Sequence, residues 1–184
     1  AYDYAKKYFV QAALSESYYN RYAPGKRWGT FYAFGLGWDI SNENFMESAD
    51  WLNQLKIRGV FGKTGNGIDN SGYYMYQQTF SHIGNAGYPL GTQMSYLGNV
   101  TTENAPLANP FLTWEKAYKW NLGIDLAMFN NRLKFTADYY NDKYFDLLQN
   151  RGKSIELIGQ SYPMENIGKV RRFGGRSEEH TSEL

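Results

Sequence analysis

Trp28-Gly29-Thr30-Phe31-Tyr32-Ala33-Phe34-Gly35-Leu36-Gly37-Trp38-Asp39-Ile40 is the stretch on which the fold turns. Every second residue gives Trp28, Thr30, Tyr32, Phe34, Leu36, Trp38 and Ile40; the alternate set is Gly29, Phe31, Ala33, Gly35, Gly37 and Asp39. Successive side chains of a strand point to opposite faces, so one face here is bulky and apolar and the other mostly small.

The same period of two recurs along the chain. Tyr8, Val10, Ala12 and Leu14 oppose Phe9, Gln11, Ala13 and Ser15. Leu55 to Thr64, Tyr118 to Met128 and Leu133 to Tyr140 repeat the pattern, which makes five antiparallel strand candidates and no helix of comparable strength. Phe129-Asn130-Asn131-Arg132 reads as a tight turn, because asparagine tolerates the left-handed conformation a hairpin needs. Ser41 to Gln54 is a moderate link in which residues 48–52 could close a short helical turn. Gly65 to about Glu115, and Asn141 to about Glu165, read as long connections. The prediction is an all-β, antiparallel up-and-down meander.

Composition narrows the classes. The 184 residues contain no cysteine, which excludes disulfide scaffolds and thiolate metal sites. A net charge of +1 gives no field suited to nucleic acid. Aromatic residues make up 18% of the chain, too many for a disordered segment. The mean hydropathy of −0.61 goes with the absence of any apolar run of about 18 residues, the length a membrane helix needs. A membrane strand escapes that test, since its alternating faces average to a polar value.

Alternation by itself also fits a soluble β-sandwich that binds carbohydrate through its aromatics. Three features favour a transmembrane barrel. Several candidate strands run ten or more residues, near the ~9–11 needed to cross a bilayer. Aromatics collect near expected strand ends (Trp28 and Tyr32, Tyr118 and Trp120, Tyr139 and Tyr140), and short turns alternate with long loops.

The motifs then resemble those of one family. Arg27-Trp28-Gly29-Thr30-Phe31 with Gly37-Trp38-Asp39-Ile40-Ser41 is similar to the RWGTF…GWxIS stretch of SusC/RagA-type, TonB-linked outer-membrane proteins. In the same order follow Trp51-Leu52-Asn53-Gln54-Leu55-Lys56-Ile57-Arg58, Gly62-Lys63-Thr64-Gly65-Asn66, Asn109-Pro110, Leu112, Trp114-Glu115, Asn121-Leu122-Gly123-Ile124-Asp125, Phe129 to Arg132, Asp138-Tyr139-Tyr140 and Asn166-Ile167-Gly168-Lys169-Val170. The family usually continues with an asparagine–lysine–glycine turn, where this chain has Arg171-Arg172-Phe173-Gly174-Gly175. The resemblance implies five or six strands from the later part of a 22-stranded barrel around a plug. It also implies uptake of oligosaccharides, peptides or similar bulky nutrients, a SusD-like lipoprotein cap, coupling to the TonB complex and residence in the outer membrane. Lys56, Arg58, Lys119, Asp125, Lys134 and Asp138 are the candidate lumen-facing residues. Tyr73, Tyr74, Tyr76, Tyr88 and Tyr96, with Phe80, are the candidate extracellular-loop contacts.

No catalytic, cofactor or metal site is expected. Gly62-Lys63-Thr64 and Gly152-Lys153-Ser154 end like phosphate loops, but Ile57 and Leu147 stand where the leading glycine belongs. Gly35 and Gly37 lack a third glycine. His82 has no companion ligand. Asp138 and Asp142 share a strand face without the definition of an acid–base pair, and Asp69-Asn70-Ser71-Gly72 reads as a turn rather than a calcium loop. Both ends read as cut. Residues 1–175 are expected to form the partial barrel; Arg176-Ser177-Glu178-Glu179-His180-Thr181-Ser182-Glu183-Leu184 look like a translated sequencing adapter that packs against nothing.

Overall fold

In the computed structural model the polar backbone groups of the long alternating stretches are satisfied by one another, strand to strand in sequence order. The described residues are 1–67, 74–83, 89–90, 95–96, 100–103, 106–152, 159 and 161–181. Seven strands form one antiparallel sheet: β1 (Tyr2–Tyr4), β2 (Tyr8–Tyr18), β3 (Trp28–Asp39), β4 (Leu52–Asn66), β9 (Glu115–Met128), β10 (Leu133–Asn150) and β11 (Met164–Thr181). Between β4 and β9 lie two small hairpins, β5 (Phe80–Ile83) with β8 (Val100–Glu103) and β6 (Pro89–Leu90) with β7 (Ser95–Tyr96). The sheet order follows the chain order throughout, as an up-and-down meander requires.

Register carries the alternation across the sheet. Tyr8, Trp38, Ile57, Ile124 and Ala137 form one row, and Val10, Leu36, Gly59, Leu122 and Tyr139 the next. This face is apolar and uncovered: Leu36 is 65% exposed, Leu122 53% and Phe34 53%. The opposite face is mostly polar or small, with Phe9, Phe31 and Val60 as exceptions. Among the described residues no second sheet packs on the seven-stranded one, so the sandwich alternative, which needs two sheets about 10 Å apart, is not what this chain forms. The buried apolar residues Tyr22, Leu112 and Trp114 form a cluster at one end of the sheet, against Tyr19, Phe31, Met75 and Leu148.

That end joins β2 to β3 through residues 19–27, β4 to β9 through the long connection 67–114 and β10 to β11 through residues 151–163. The other end holds the tight β1–β2 and β9–β10 turns and the link 40–51 between β3 and β4. Phe129, Asn130 and Asn131 all take positive φ (55°, 56° and 63°) in the β9–β10 turn. Asn53 accepts the Asn131 amide at 3.1 Å, and Trp51 O accepts the Phe129 amide at 2.8 Å, so the link before β4 is fastened onto that turn.

Several expectations need correction. The helical turn falls at Ile40–Asn42 and Asn44–Met46, as two 3-10 turns, rather than over 48–52. Strand β10 does not end at Tyr140. It runs ten residues further, with a bulge between Tyr144 and Leu147 where Asp146 takes φ 57°. Asn141 and Lys143 first interrupt the apolar side of the strand, and the bulge then shifts the side-chain parity by one, which together hide the continuation from a period-of-two reading. Tyr139 therefore sits mid-strand, beside Leu122, and Tyr140 lies on the opposite face, so this pair marks no strand end. The tail also departs from expectation. Residues 176–181 continue β11 and pair with β10 from Arg176↔Asp138 to Thr181↔Leu133. Backbone pairing is indifferent to sequence, and the long free edge of β10 templates whatever follows Gly175.

Candidate functional site

Strand parity decides which side chains share a surface. Even positions of β4, odd positions of β9 and even positions of β10 face the polar side, and this brings Lys56, Arg58, Lys119, Asp125, Lys134 and Asp138 onto one face. Three of them form a connected group. Arg58 Nε donates to Asp125 Oδ2 at 3.0 Å, and its Nη2 lies 2.8 Å from Asp138 Oδ1. Asp138 is nearly buried, with a side-chain exposure of 4%.

The link spans three strands because the middle one carries glycine. Arg58, Gly123 and Asp138 occupy one row, so the guanidinium must cross β9 directly above Gly123. A Cβ there would stand 2.6 Å from Arg58 Cζ and 2.7 Å from Asp138 Oδ1. Arg176 reaches the second oxygen of Asp138 at 3.2 Å.

The other candidates are placed differently. Lys56 Nζ sits 3.9 Å from the Phe9 ring centroid and Lys119 Nζ 5.4 Å from that of Tyr144, both as cation–π contacts. Lys134 is exposed and has no side-chain partner among the described residues. Asp142 faces the same side and accepts the Tyr144 hydroxyl at 3.3 Å. Beside Lys56 and Arg58, the residues Phe9, Gln11, Gly35 and Gly37 line a hollow of about 380 Å³, where the small residues leave room.

The loop aromatics separate into two kinds. Tyr76 is held: its hydroxyl accepts Arg27 Nη2 at 3.4 Å, and its ring meets Tyr74 edge-on at 6.2 Å. Tyr74 is 44% exposed. Tyr96 lies in β7, whose backbone pairs with β6. Tyr73 and Tyr88 lie outside the described residues.

Sequence reasoning missed the residues that fix the long-loop end. The Asn166 carboxamide accepts the Thr113 amide at 2.9 Å and donates to the carbonyls of Thr113 at 2.9 Å and Asp146 at 2.7 Å. Glu115 accepts the Leu148 amide at 2.9 Å, and Asn109 Nδ2 donates to Met164 O at 2.7 Å. Gly168 sits opposite the bulge, where a Cβ would meet that of Leu147 at 2.8 Å. Their motifs were visible, but what each side chain holds depends on a partner more than 15 residues away.

At the short-turn end Glu43 is the centre. It accepts the Tyr8 hydroxyl at 2.7 Å, the Trp38 indole N–H at 3.1 Å and the Lys7 ammonium at 3.1 Å. These donors, Tyr8 first, hold its carboxyl below the ordinary glutamate value. Among the described residues no cluster of three or more potential metal ligands occurs.

With this geometry in view, the comparisons agree with one another. Residues 1–175 match the family described as TonB dependent receptor-like, beta-barrel. The chain is 34% identical over 175 residues to TonB-dependent receptor P39 of Formosa agariphila, covering 94% of this chain and 15% of that protein. It is 30% identical over 158 residues to TonB-dependent receptor SusC of Bacteroides thetaiotaomicron, covering 84% and 15% respectively. Among solved structures, the RagAB peptide importer in its open-open state superposes with a TM-score of 0.78 at 25% identity, over 95% of this chain and 18% of that one. Its closed-closed state gives 0.76 at 23% identity, over 97% and 18%. The chain thus spans about 15% of the length of the curated relatives quoted, and its residues 1–175 match the barrel. A two-faced meander with these motifs and these matches belongs to the TonB-dependent receptor-like β-barrel family, as a stretch of a SusC/RagA-type barrel.

Proposed function

We propose that this chain is wall from an outer-membrane importer, with its apolar face toward lipid and its polar face toward the lumen. One observation carries the reading: a single-layer sheet whose uncovered apolar face has the height of a bilayer. On β9 that face runs from Tyr118 to Met128. About ten steps of ~3.4 Å, tilted by ~40°, span about 26 Å, which matches the ~25 Å apolar band of outer-membrane barrels.

Passage through such a lumen needs no covalent chemistry. Arg58 holds the two carboxylates of Asp125 and Asp138 and the three serve as wall, with one negative charge in excess, whereas Lys134 stands free and Lys56 and Lys119 rest against rings, offering cations to a passing solute or to a plug. The cargo class is an oligosaccharide, peptide or comparably bulky nutrient, in keeping with a peptide importer and a SusC protein among the similar chains. The long-loop end faces outward. There Tyr74, Tyr76 and the residues Tyr73, Tyr88 and Tyr96 would meet cargo or a SusD-like lipoprotein, and the TonB complex would act through other parts of the complete protein. Residues 176–184 are proposed to be foreign to the gene, since the family match stops at 175.

Single-cysteine labels at positions 122 and 121 of the complete transporter test the assignment. A polarity-sensitive probe at 122 should report lipid and be quenched by lipid-soluble quenchers, and one at 121 should not. The reverse result would overturn every lumen assignment at once.

A further inference from the structure

We propose that the apolar face carries, at its long-loop end, a strip that binds the phosphate of a glycolipid in the outer leaflet. This rests on the orientation proposed above, with the long loops outward.

The charges on that face are not scattered. From the row of Tyr8, Trp38 and Ile57 to the row of Ala12, Phe34, Phe61, Trp120 and Asn141, β2 to β10 place no acidic or basic side chain on it. One row further, the register aligns Tyr32, Lys63, Tyr118, Lys143 and Arg171. Lys116 and Lys169 extend the strip by one step. Lys63 and Lys143 flank β9, so their backbones lie two strand spacings apart, about 10 Å.

These cations are largely unspent. Lys116 is paired with Asp146 at 2.9 Å, and Arg171 donates to Asn141 Oδ1 at 3.2 Å. Lys63, Lys143 and Lys169 have no partner among the described residues. The other acid at this end of the face is Glu16, in the row beyond, opposite Thr30 and two strands from β4. Lys143, Lys169 and Arg171 edge a hollow of about 550 Å³ floored by Tyr118 and Trp120. Lys116 Nζ lies 5.9 Å from the Phe145 ring centroid and Arg171 Cζ 5.8 Å from that of Phe173, and long cationic side chains beside apolar surface can snorkel to headgroup level.

Tolerance of lysine near an interface does not explain the pattern, because both interfaces tolerate it equally. At the short-turn end the strands of the same face offer Tyr8, Trp38, Leu55, Leu126 and Phe135; the cation beside them, Lys7, is already paired with Glu43 at 3.1 Å, and Arg132 lies in the turn beyond. An attraction present at one interface only points to a ligand carried by one leaflet, and the phosphorylated glycolipid of the outer leaflet has that distribution. Ammonium to phosphate contacts are charge-assisted and form beside a low-dielectric surface.

The test uses the complete transporter in nanodiscs of phosphatidylethanolamine doped with monophosphoryl lipid A or with the same lipid dephosphorylated; native mass spectrometry reads the glycolipid retained. Retention of the phosphorylated form should exceed that of the dephosphorylated form by about tenfold or more, the worth of one hydrogen bond to a charged group. Lys63→Gln with Lys143→Gln and Lys169→Gln should abolish the preference while the heat-modifiable gel shift of the folded barrel stays. Arg132→Gln, at the opposite end, should leave the preference intact. Equal retention of both lipids by the wild type, which needs no variant to fold, overturns the proposal, as does an equal loss on Arg132→Gln. An impermeant maleimide on intact cells carrying Phe111→Cys separates the two readings. Labelling without a phosphate preference removes the strip and keeps the orientation, whereas labelling only after lysis removes both.

Discussion

Substituting Gly123 by alanine tests the three-strand link directly. Two effects oppose each other. Alanine in a strand interior is favoured over glycine by about 0.5–1 kcal/mol. Against this, the new methyl would occupy the path of the guanidinium, at 2.6 Å from Arg58 Cζ and 2.7 Å from Asp138 Oδ1. Arg58 can swing away and keep Asp125, because its side chain is 32% exposed. Asp138 cannot follow: it is 4% exposed, and its other partner, Arg176 at 3.2 Å, belongs to the segment proposed to be foreign to the gene. Removing one partner of a buried pair costs about 3–5 kcal/mol, so the net destabilisation should be about 2–4 kcal/mol. Urea unfolding of the complete barrel in detergent, read by the heat-modifiable gel shift, measures it. Gly59→Ala is the control, since its Cβ meets only Leu122 Cδ2 at 3.3 Å. Adding Asp138→Asn to Gly123→Ala should restore much of the loss by removing the stranded charge. A Gly123→Ala protein as stable as the Gly59→Ala control would falsify the link.

Ile124→Arg puts a cation near the bilayer midplane and should cost about 2–4 kcal/mol, whereas Asp125→Asn on the polar side should shift stability little; folding yield into liposomes compares them. Asn166→Ala leaves the Thr113 amide and two carbonyls without their partner and should cost about 1–3 kcal/mol, seen as faster proteolytic nicking between β10 and β11. The lowered Glu43 value contributes stability that is present above the unfolded glutamate value of about 4.5 and is lost as pH falls through the folded one. A stability profile from pH 6 to 3 should therefore flatten in Glu43→Gln; an unchanged acid slope would remove Glu43 from the account. Resequencing the locus should find no codons for residues 176–184.

The strand cores were legible because burial on one side writes a period of two directly into sequence, nowhere more plainly than in Trp28 to Asp39. What failed, failed where that period is interrupted. Asn141 and Lys143 put polar side chains on the apolar side, the bulge at Phe145–Asp146 then shifts parity, and the last ten residues of β10 look like loop. The polar face followed from parity alone, so all six candidate residues came together once the register was fixed. The pairing of Arg58 with Asp138 was not legible, because it depends on the absence of a side chain at Gly123, 65 positions away from Arg58 in the chain. Glu115 and Asn166 were visible as motif letters, yet their work is to accept and donate across strand ends, and no local pattern encodes a distant backbone amide.

The link between β4, β9 and β10 also bears on pore size. In a closed barrel the diameter follows from the number of strands and from the stagger accumulated around the ring. A strand that slips keeps its facing only in steps of two residues, about 7 Å, and such a step would carry Arg58 beyond reach of both carboxylates. The guanidinium over Gly123 thus works as a detent on sliding. Through the stagger of three neighbouring strands, it helps set the diameter of the barrel to which these strands belong.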